Sequence, residues 1–261
     1  MTGTDVKEGK IELIAEQDGV LKIDREKLRR VNALGEMMIA ARHGDFPVRK
    51  GEKIAGTRVI PLVIEKEKME RAKEVTEGGP IFQILPYKEK RIGVVTTGSE
   101  LYKGRIEDAF TPVLREKFAE YGMEIKRQEL VGDEHEKITE IIQNMIAEGM
   151  DLIVCTGGMS VDPDDRTPLA IKNTGAEIVT YGAPVLPGAM FMLAYVDRTI
   201  PILGLPGCVM YAKRTIFDLV FPRILAGEKL AREDFDRLGE GGLCLNCPTC
   251  TFPNCGFGKG V

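Results

Sequence analysis

The chain is poor in histidine, with His43 and His135 the only two among 261 residues. No nucleophile–histidine–acid signature can be read around either, so triad-type hydrolysis is not expected. His135 lies between Glu134 and Glu136 and reads as a solvated residue. Strongly basic runs are also missing. The net charge is −4, from 36 basic and 40 acidic residues, which disfavours a nucleic-acid partner. The longest apolar run, "AMFMLAYV" (189–196), falls far short of the roughly 20 residues a spanning helix needs, so no membrane partner is expected. The opening "MTGTDVKEGKIE" has no apolar core and does not read as a secretion signal. These absences together predict a cytoplasmic protein.

The composition that is present is globular, 43% hydrophobic and 29% charged, with enough chain for a sizeable core. Three segments are expected. Residues 1–85 read as a small N-terminal α+β domain, with a helix from Arg25 to about Ala40 and glycines punctuating short apolar runs. "EKEKMERAKE" reads as a solvated helix face, and "EGGPIFQILPY" (77–87) as a linker or crossing strand. Residues 86–230 alternate strand and helix. "RIGVVTT", "MEIKRQELV", "DLIVCT", "AEIVTY", "AMFMLAYV" and "TIPILGL" read as strands. Thr111-Pro112 and Thr167-Pro168 read as helix starts, Asp133 and Glu136 as a capping-box-like start, and 209–225 as one long helix. That alternation predicts an α/β fold, a three-layer sandwich with a mostly parallel central sheet. Residues 231–261 read as a Cys-rich tail.

Three loops stand where ligands bind in such sheets, beyond the carboxyl ends of the strands. They are "TTGSEL" (96–101), "TGGMSVDPDD" (156–165) and "GLPGC" (204–208). Their glycines let backbone N–H groups approach a phosphate-bearing ligand. Asp162, Asp164 and Asp165 would repel a bare phosphate, so a hard cation is expected between them, and Mg²⁺ suits carboxylates plus phosphate oxygens. The plainer alternative is that these loops only turn the chain, with Asp165 helping to cap the helix near Thr167.

These stretches, together with "GRIEDAFTPVL", "VGDEHEKI" and "LPGAM", resemble the molybdenum-cofactor-biosynthesis (MoCF) domain family over about residues 90–225. The resemblance implies molybdopterin binding. Thr97, Gly98, Ser99 and Glu100 would line a pterin-phosphate site. Gly157, Gly158 and Ser160 would bind through backbone and hydroxyl, and Pro187-Gly188 and Pro206-Gly207 would close the pocket. Asp165 matches an aspartate important in the transferases of the family, and Asp108 an acidic or amide position. Two departures stand out: Phe110 replaces a small polar residue, and Cys208-Val209 replaces Asn-Pro. "GGMSVDPDDRT" is also similar to the N-terminal domain of competence-damage-inducible proteins, relatives that hydrolyse nucleotide-like pyrophosphates.

Cys155 ends a buried strand and reads as core, while Cys208 reads equally as pocket or packing. Cys244, Cys247, Cys250 and Cys255 are spaced C-x2-C-x2-C-x4-C. Four thiols so close, with no secretion signal, predict a metal centre: a [4Fe–4S] cluster or Zn²⁺. The combined expectation is a molybdotransferase-like, Mg²⁺-assisted transferase, with Asp165, Asp164 and Asp108 as catalytic residues. Its substrates would be molybdate and molybdopterin or adenylylated molybdopterin. The alternatives are a carrier or redox sensor using the same pocket, and a nucleotide pyrophosphatase. A homo-oligomer, dimer or trimer, is expected because "AMFMLAYV" and "TIPILGL" read as strands near a sheet edge that needs covering.

Overall fold

A computed structural model describes residues 1–105, 107–159 and 166–260, which divide into two units, Met1–Lys88 and Glu89–Val261. The first unit contains β1 (Thr2–Gly3), β2 (Lys10–Ile14), β3 (Gly19–Ile23), α1 (Arg25–Ala33), β4 (Met37–Ala41), β5 (Phe46–Val48), β6 (Lys53–Val59), α2 (Lys66–Val75) and β7 (Phe82–Leu85). They form two antiparallel sheets, ordered β1-β2-β6-β4 and β5-β3-β7. Leu21, Val48, Ile54, Ala55, Phe82 and Ile84 make the core. The helix expected from Arg25 to Ala40 stops at Ala33. Gly35 takes φ +71°, a left-handed exit, and the apolar run after it pairs with β6 instead. Of the linker and crossing-strand readings of 77–87, the strand holds: the stretch supplies β7, paired with β3.

The second unit contains β8 (Ile92–Thr97), α3 (Ser99–Tyr102), α4 (Phe110–Ala119), β9 (Ile125–Val131), α5 (His135–Ala147), β10 (Leu152–Thr156), α6 (Thr167–Asn173), β11 (Glu177–Tyr181), β12 (Met192–Val196), β13 (Ile200–Leu205), α7 (Ile216–Leu225) and α8 (Arg232–Asp236). One six-stranded sheet has the order β11-β12-β13-β10-β8-β9. β9, β8, β10 and β13 are mutually parallel, whereas β12 runs antiparallel to both its neighbours. The result is an α/β fold with a mostly parallel central sheet. β8 and β10 are buried along their whole length, as expected of strands covered on both faces. Ile138, Ile142 and Met145 of α5 and Ala170 and Ile171 of α6 pack on one face, against Val95, Ile153 and Cys155. α4 and α7 meet through Phe118, Phe217 and Phe221, with ring centroids 4.7–6.0 Å apart.

Three local expectations are corrected. The helix read as continuous from 209 to 225 is a 3₁₀ turn, Gly207–Met210, followed by α7. Thr215 is extended (φ −139°, ψ −178°) and forms a capping box with Asp218, which starts the helix afresh. β12 and β13 are interior strands, and the sheet edges are β11 and β9, so the edge argument for an oligomer loses its basis. Asp133 does not cap α5. Its Oδ2 accepts from Ser99 N at 2.9 Å and ties the end of β9 to the loop after β8.

The cysteine-rich segment packs within the second unit. Leu186 N donates to Gly242 O and Cys244 N to Leu186 O, both at 2.8 Å, and Phe257 is buried. No helix among the described residues is long and apolar enough to cross a membrane.

Candidate functional site

Parallel register brings the expected loops to one edge. Thr156 is level with Thr96 on β8 and Leu205 on β13, so these three strands end side by side. The loop between β11 and β12 reaches the same edge, because Met192 at the start of β12 pairs with Gly204 near the end of β13. Thr97, Gly98, Ser99, Gly157, Gly158, Pro187, Gly188, Pro206 and Gly207 therefore share the carboxyl edge. Ser160, Asp162, Asp164 and Asp165 lie outside the described residues.

The first two loops are locked together. Thr97 Oγ1 and Thr167 Oγ1 are hydrogen-bonded at 3.1 Å, and Thr167 Oγ1 donates to Gly157 O at 2.9 Å. Gly157 has φ +83°, and a Cβ there would lie 2.2 Å from Thr97 O, so only glycine permits this approach. Met159 then turns back into the core beneath β13. Side by side in register, the hydroxyls of Thr96 and Thr156 are fully buried, and neither forms a hydrogen bond. Leaving a buried hydroxyl unpaired costs about 1–3 kcal/mol, a cost seen more often near functional sites than elsewhere.

Asp108, expected among the catalytic residues, is held by hydrogen bonds at the start of α4. Oδ1 accepts from Phe110 N and Thr111 N at 2.9 and 3.1 Å, while Oδ2 bonds to the Thr111 hydroxyl and accepts from Gln128 Nε2 at 2.9 Å. With both oxygens engaged, Asp108 caps α4 and anchors it to β9. Glu100 is exposed on α3. Pro187-Gly188 packs on the start of α7, with Ile216 N donating to Pro187 O at 3.2 Å.

A buried charge network behind the third loop was not foreseen. Lys117 Nζ reaches both oxygens of Asp218, at 2.9 and 3.0 Å, and donates to Lys213 O at 3.2 Å. Arg214 Nη1 bonds Asp218 Oδ1 at 2.8 Å and Glu120 Oε2 at 2.9 Å. Burial alone would lower the Arg214 pKa; its bond to Glu120 and the Asp218 charge outweigh that and raise it. The network fixes residues 213–218 directly after the "GLPGC" loop. The Thr-x-x-Asp spacing of Thr215 and Asp218 was the available sequence signal. Cys155 is fully buried, and burial pushes its thiol up to about 12, so it is inert. Cys208 is half-buried, and burial likewise raises its pKa.

Cys244, Cys247, Cys250 and Cys255 all line one cavity of about 240 Å³. Among the described residues, no three His, Cys, Asp or Glu side chains converge as they would around a single ion. Lys213 and Arg214 form part of the same cavity wall.

A mostly parallel sheet with glycine loops gathered at its carboxyl edge defines the class as an α/β ligand-binding domain. Residues 93–226, about half of the chain, match the family described as "Probable molybdopterin binding domain", and the chain belongs to that family. The CinA-like protein of Mycobacterium sp. (strain MCS) is 33% identical over 90 residues, 34% of this chain. The matched segment spans about a fifth of that relative's length, 21%. Among solved structures, the molybdopterin biosynthesis enzyme MoaB from Thermus thermophilus is 24% identical, with a TM-score of 0.42, over 53% of this chain and 98% of that one. The tungsten cofactor synthesizing protein MoaB from Pyrococcus furiosus is 20% identical, with a TM-score of 0.43, over 56% and 98%.

Proposed function

We propose that the carboxyl edge of the second unit binds molybdopterin or adenylylated molybdopterin, and that the protein acts in molybdenum cofactor biosynthesis as a molybdotransferase-like enzyme. The observation that carries this reading is the Thr97–Thr167–Gly157 lock, which holds two glycine loops of a molybdopterin-binding family domain at adjacent strand ends. Gly157 and Gly158 would present backbone to the phosphate, with the hydroxyls of Ser99 and Ser160 beside it. Asp164 and Asp165 would hold Mg²⁺, which supplies Lewis-acid polarisation of a phosphoryl oxygen when bound. Asp108 would act by positioning α4. A metal at the four cysteines, [4Fe–4S] or Zn²⁺, would be resident. Assembly as a homo-oligomer and a cytoplasmic location belong to the same proposal.

A second reading is favoured by the identity with CinA-like proteins: pyrophosphate hydrolysis of a nucleotide-like substrate at the same edge. Incubation with adenylylated molybdopterin, with and without molybdate, separates the two. Molybdate-dependent formation of molybdenum cofactor supports the transferase. AMP release that ignores molybdate, with hydrolysis of ADP-ribose, supports the pyrophosphatase, and tight binding without turnover indicates a carrier. Asp165→Asn should reduce Mg²⁺-dependent turnover by roughly 100-fold, about 2.7 kcal/mol of barrier, with thermal unfolding unchanged. Unchanged turnover would reduce Asp165 to a turn residue.

A further inference from the structure

We propose that the hollow between α1 and α2 in the first unit binds a tetrahedral, doubly charged oxyanion through Arg29, Arg30 and Arg71. The anion is taken either free or as the phosphoryl end of a larger molecule. The molybdopterin reading uses none of these residues, so the two proposals stand or fall separately.

Helical spacing brings the residues together. Arg30 and Leu34 lie four apart at the end of α1, and Arg71, Glu74 and Val75 share one face of α2. With Arg29 and Ala33 they line one cavity of about 270 Å³. Sites for drug-sized ligands run to roughly 300–1,000 Å³, so this one suits a small ion with bridging water. Val75 is buried and Leu34 half-buried, which gives the cavity an apolar floor. An ion resting there is screened less from the arginines than it would be on open surface.

Charge carries the argument. Three guanidinium groups and one carboxylate line the cavity. Arg29 already holds Glu26 by two bonds, Nε to Oε2 at 2.9 Å and Nη2 to Oε1 at 2.7 Å, which leaves its Nη1 to donate elsewhere. That contact, together with the Arg30 charge, keeps the Glu26 carboxyl below its usual pKa. Beyond this attraction the Arg30 side chain has no hydrogen bond or ion pair among the described residues, and the side chains of Arg71 and Glu74 have none. The wall thus carries an excess of positive charge that the protein leaves unpaired. Guanidinium forks on two helices can each offer parallel N–H donors to one anion. A carboxylate has two oxygens to share among three arginines, whereas a four-oxygen dianion can serve all of them.

The test follows backbone amide shifts of full-length protein at low salt as inorganic phosphate, molybdate or ADP is added. Saturable shifts are expected at residues 29–34 and 71–76. Shifts at 96–101 report the ligand edge separately, so failure at one site does not count against the other. Arg30→Gln and Arg71→Gln should each weaken binding by roughly 10-fold or more, the cost of a lost charge-assisted hydrogen bond. Arg71→Lys should recover only part of that loss, because a point charge lacks the fork. Glu74→Gln should tighten binding by removing the one like charge from the wall. Arg58→Gln, at an exposed β6 position outside the cavity, should change nothing, with circular dichroism confirming that each variant is folded. Molybdate binding tighter than phosphate assigns the site to a free metal oxyanion, and ADP binding tighter than phosphate assigns it to a phosphoryl group. No saturable shift at these residues with any of the three, or equal weakening by Arg58→Gln, would overturn the proposal.

Discussion

Among the described residues, the ion pairs of 1–88 are part-exposed or exposed, whereas those of 89–261 include a buried one. In the first unit, Arg29–Glu26 leaves its side chains 68% and 62% exposed, and even Arg42–Glu52 is 23% and 39% exposed. In the second, Lys117 and Asp218 are 7% and 2% exposed. Exposed pairs contribute little, because water and salt screen them. A buried charge is tolerated only while every partner stays in place. The first unit is therefore held by its apolar clusters, and its charges are interchangeable. The second spends a buried network on fixing one short segment, residues 213–218, between the ligand edge and the cysteine cavity. Such an arrangement is expected where geometry matters more than net stability.

The largest effect that sharpens this contrast is Asp218→Asn. Removing its charge leaves Lys117 without an acidic partner and Arg214 with Glu120 alone. It also weakens the α7 capping box. The expected loss is about 3–5 kcal/mol from the second unit, read as a lower urea midpoint for its transition, while the first unit's transition stays put. A loss under about 1 kcal/mol would mean that the network behaves like a surface pair, and the contrast between the units would collapse.

Much of this was legible where sequence and burial agree. β8, β10 and β13 are short apolar runs ending in glycine loops, and each became a central strand with its loop at the carboxyl edge. α4, α5 and α6 begin within two residues of their threonine-proline and acidic signals, but the side chains of Thr111, Asp133 and Thr167 do not cap them. What escaped was decided by tertiary contact. Met37–Ala41 carries a helical-looking apolar run, but Gly35 breaks the chain direction and β6 offers an open edge. The stretch 211–215 looked helical because its apolar and basic residues suit a helix. It turns instead, and its last residue, Thr215, is extended and bonded through its N–H to Asp218, whose bonds to Lys117 span about a hundred residues of sequence. Asp108 was recognised as notable, but its four donors come from α4 and β9 together, and only the fold reveals that its oxygens are engaged.

A middle-sized effect separates glycines that serve a site from those that serve a turn. Gly157→Ala places a methyl 2.2 Å from Thr97 O at φ +83°. The two loops must part, breaking the threonine lock, at a cost of about 1–3 kcal/mol of backbone strain and with loss of ligand binding. Gly35→Ala in the first unit meets nothing within 4 Å at φ +71°. It should cost only the left-handed conformation, about 1–2 kcal/mol, and leave binding intact. Calorimetry with a molybdopterin ligand checks both. Equal binding in the two variants would mean that the Thr97–Gly157 approach is not part of the site.

The smallest expected effect concerns acid stability in the first unit. Burial pushes the Glu52 carboxyl up, but the Arg49 N–H at 3.1 Å and the Arg42 guanidinium at 2.6 Å outweigh it and hold the pKa below its ordinary 4.5. A depressed carboxylate pKa stabilises the fold at pH above the unfolded value. That contribution fades as the pH falls from about 4.5 through the lower folded value, where both states become protonated. Because the pair is part-exposed, its contribution should stay under ~1 kcal/mol and shrink in high salt. The urea midpoint of the first unit's transition should therefore decline below pH 4.5, and Glu52→Gln should flatten that decline without touching the second unit. A steep loss that survives Glu52→Gln and ignores salt would place a buried carboxylate in the first unit, the arrangement otherwise found around Asp218.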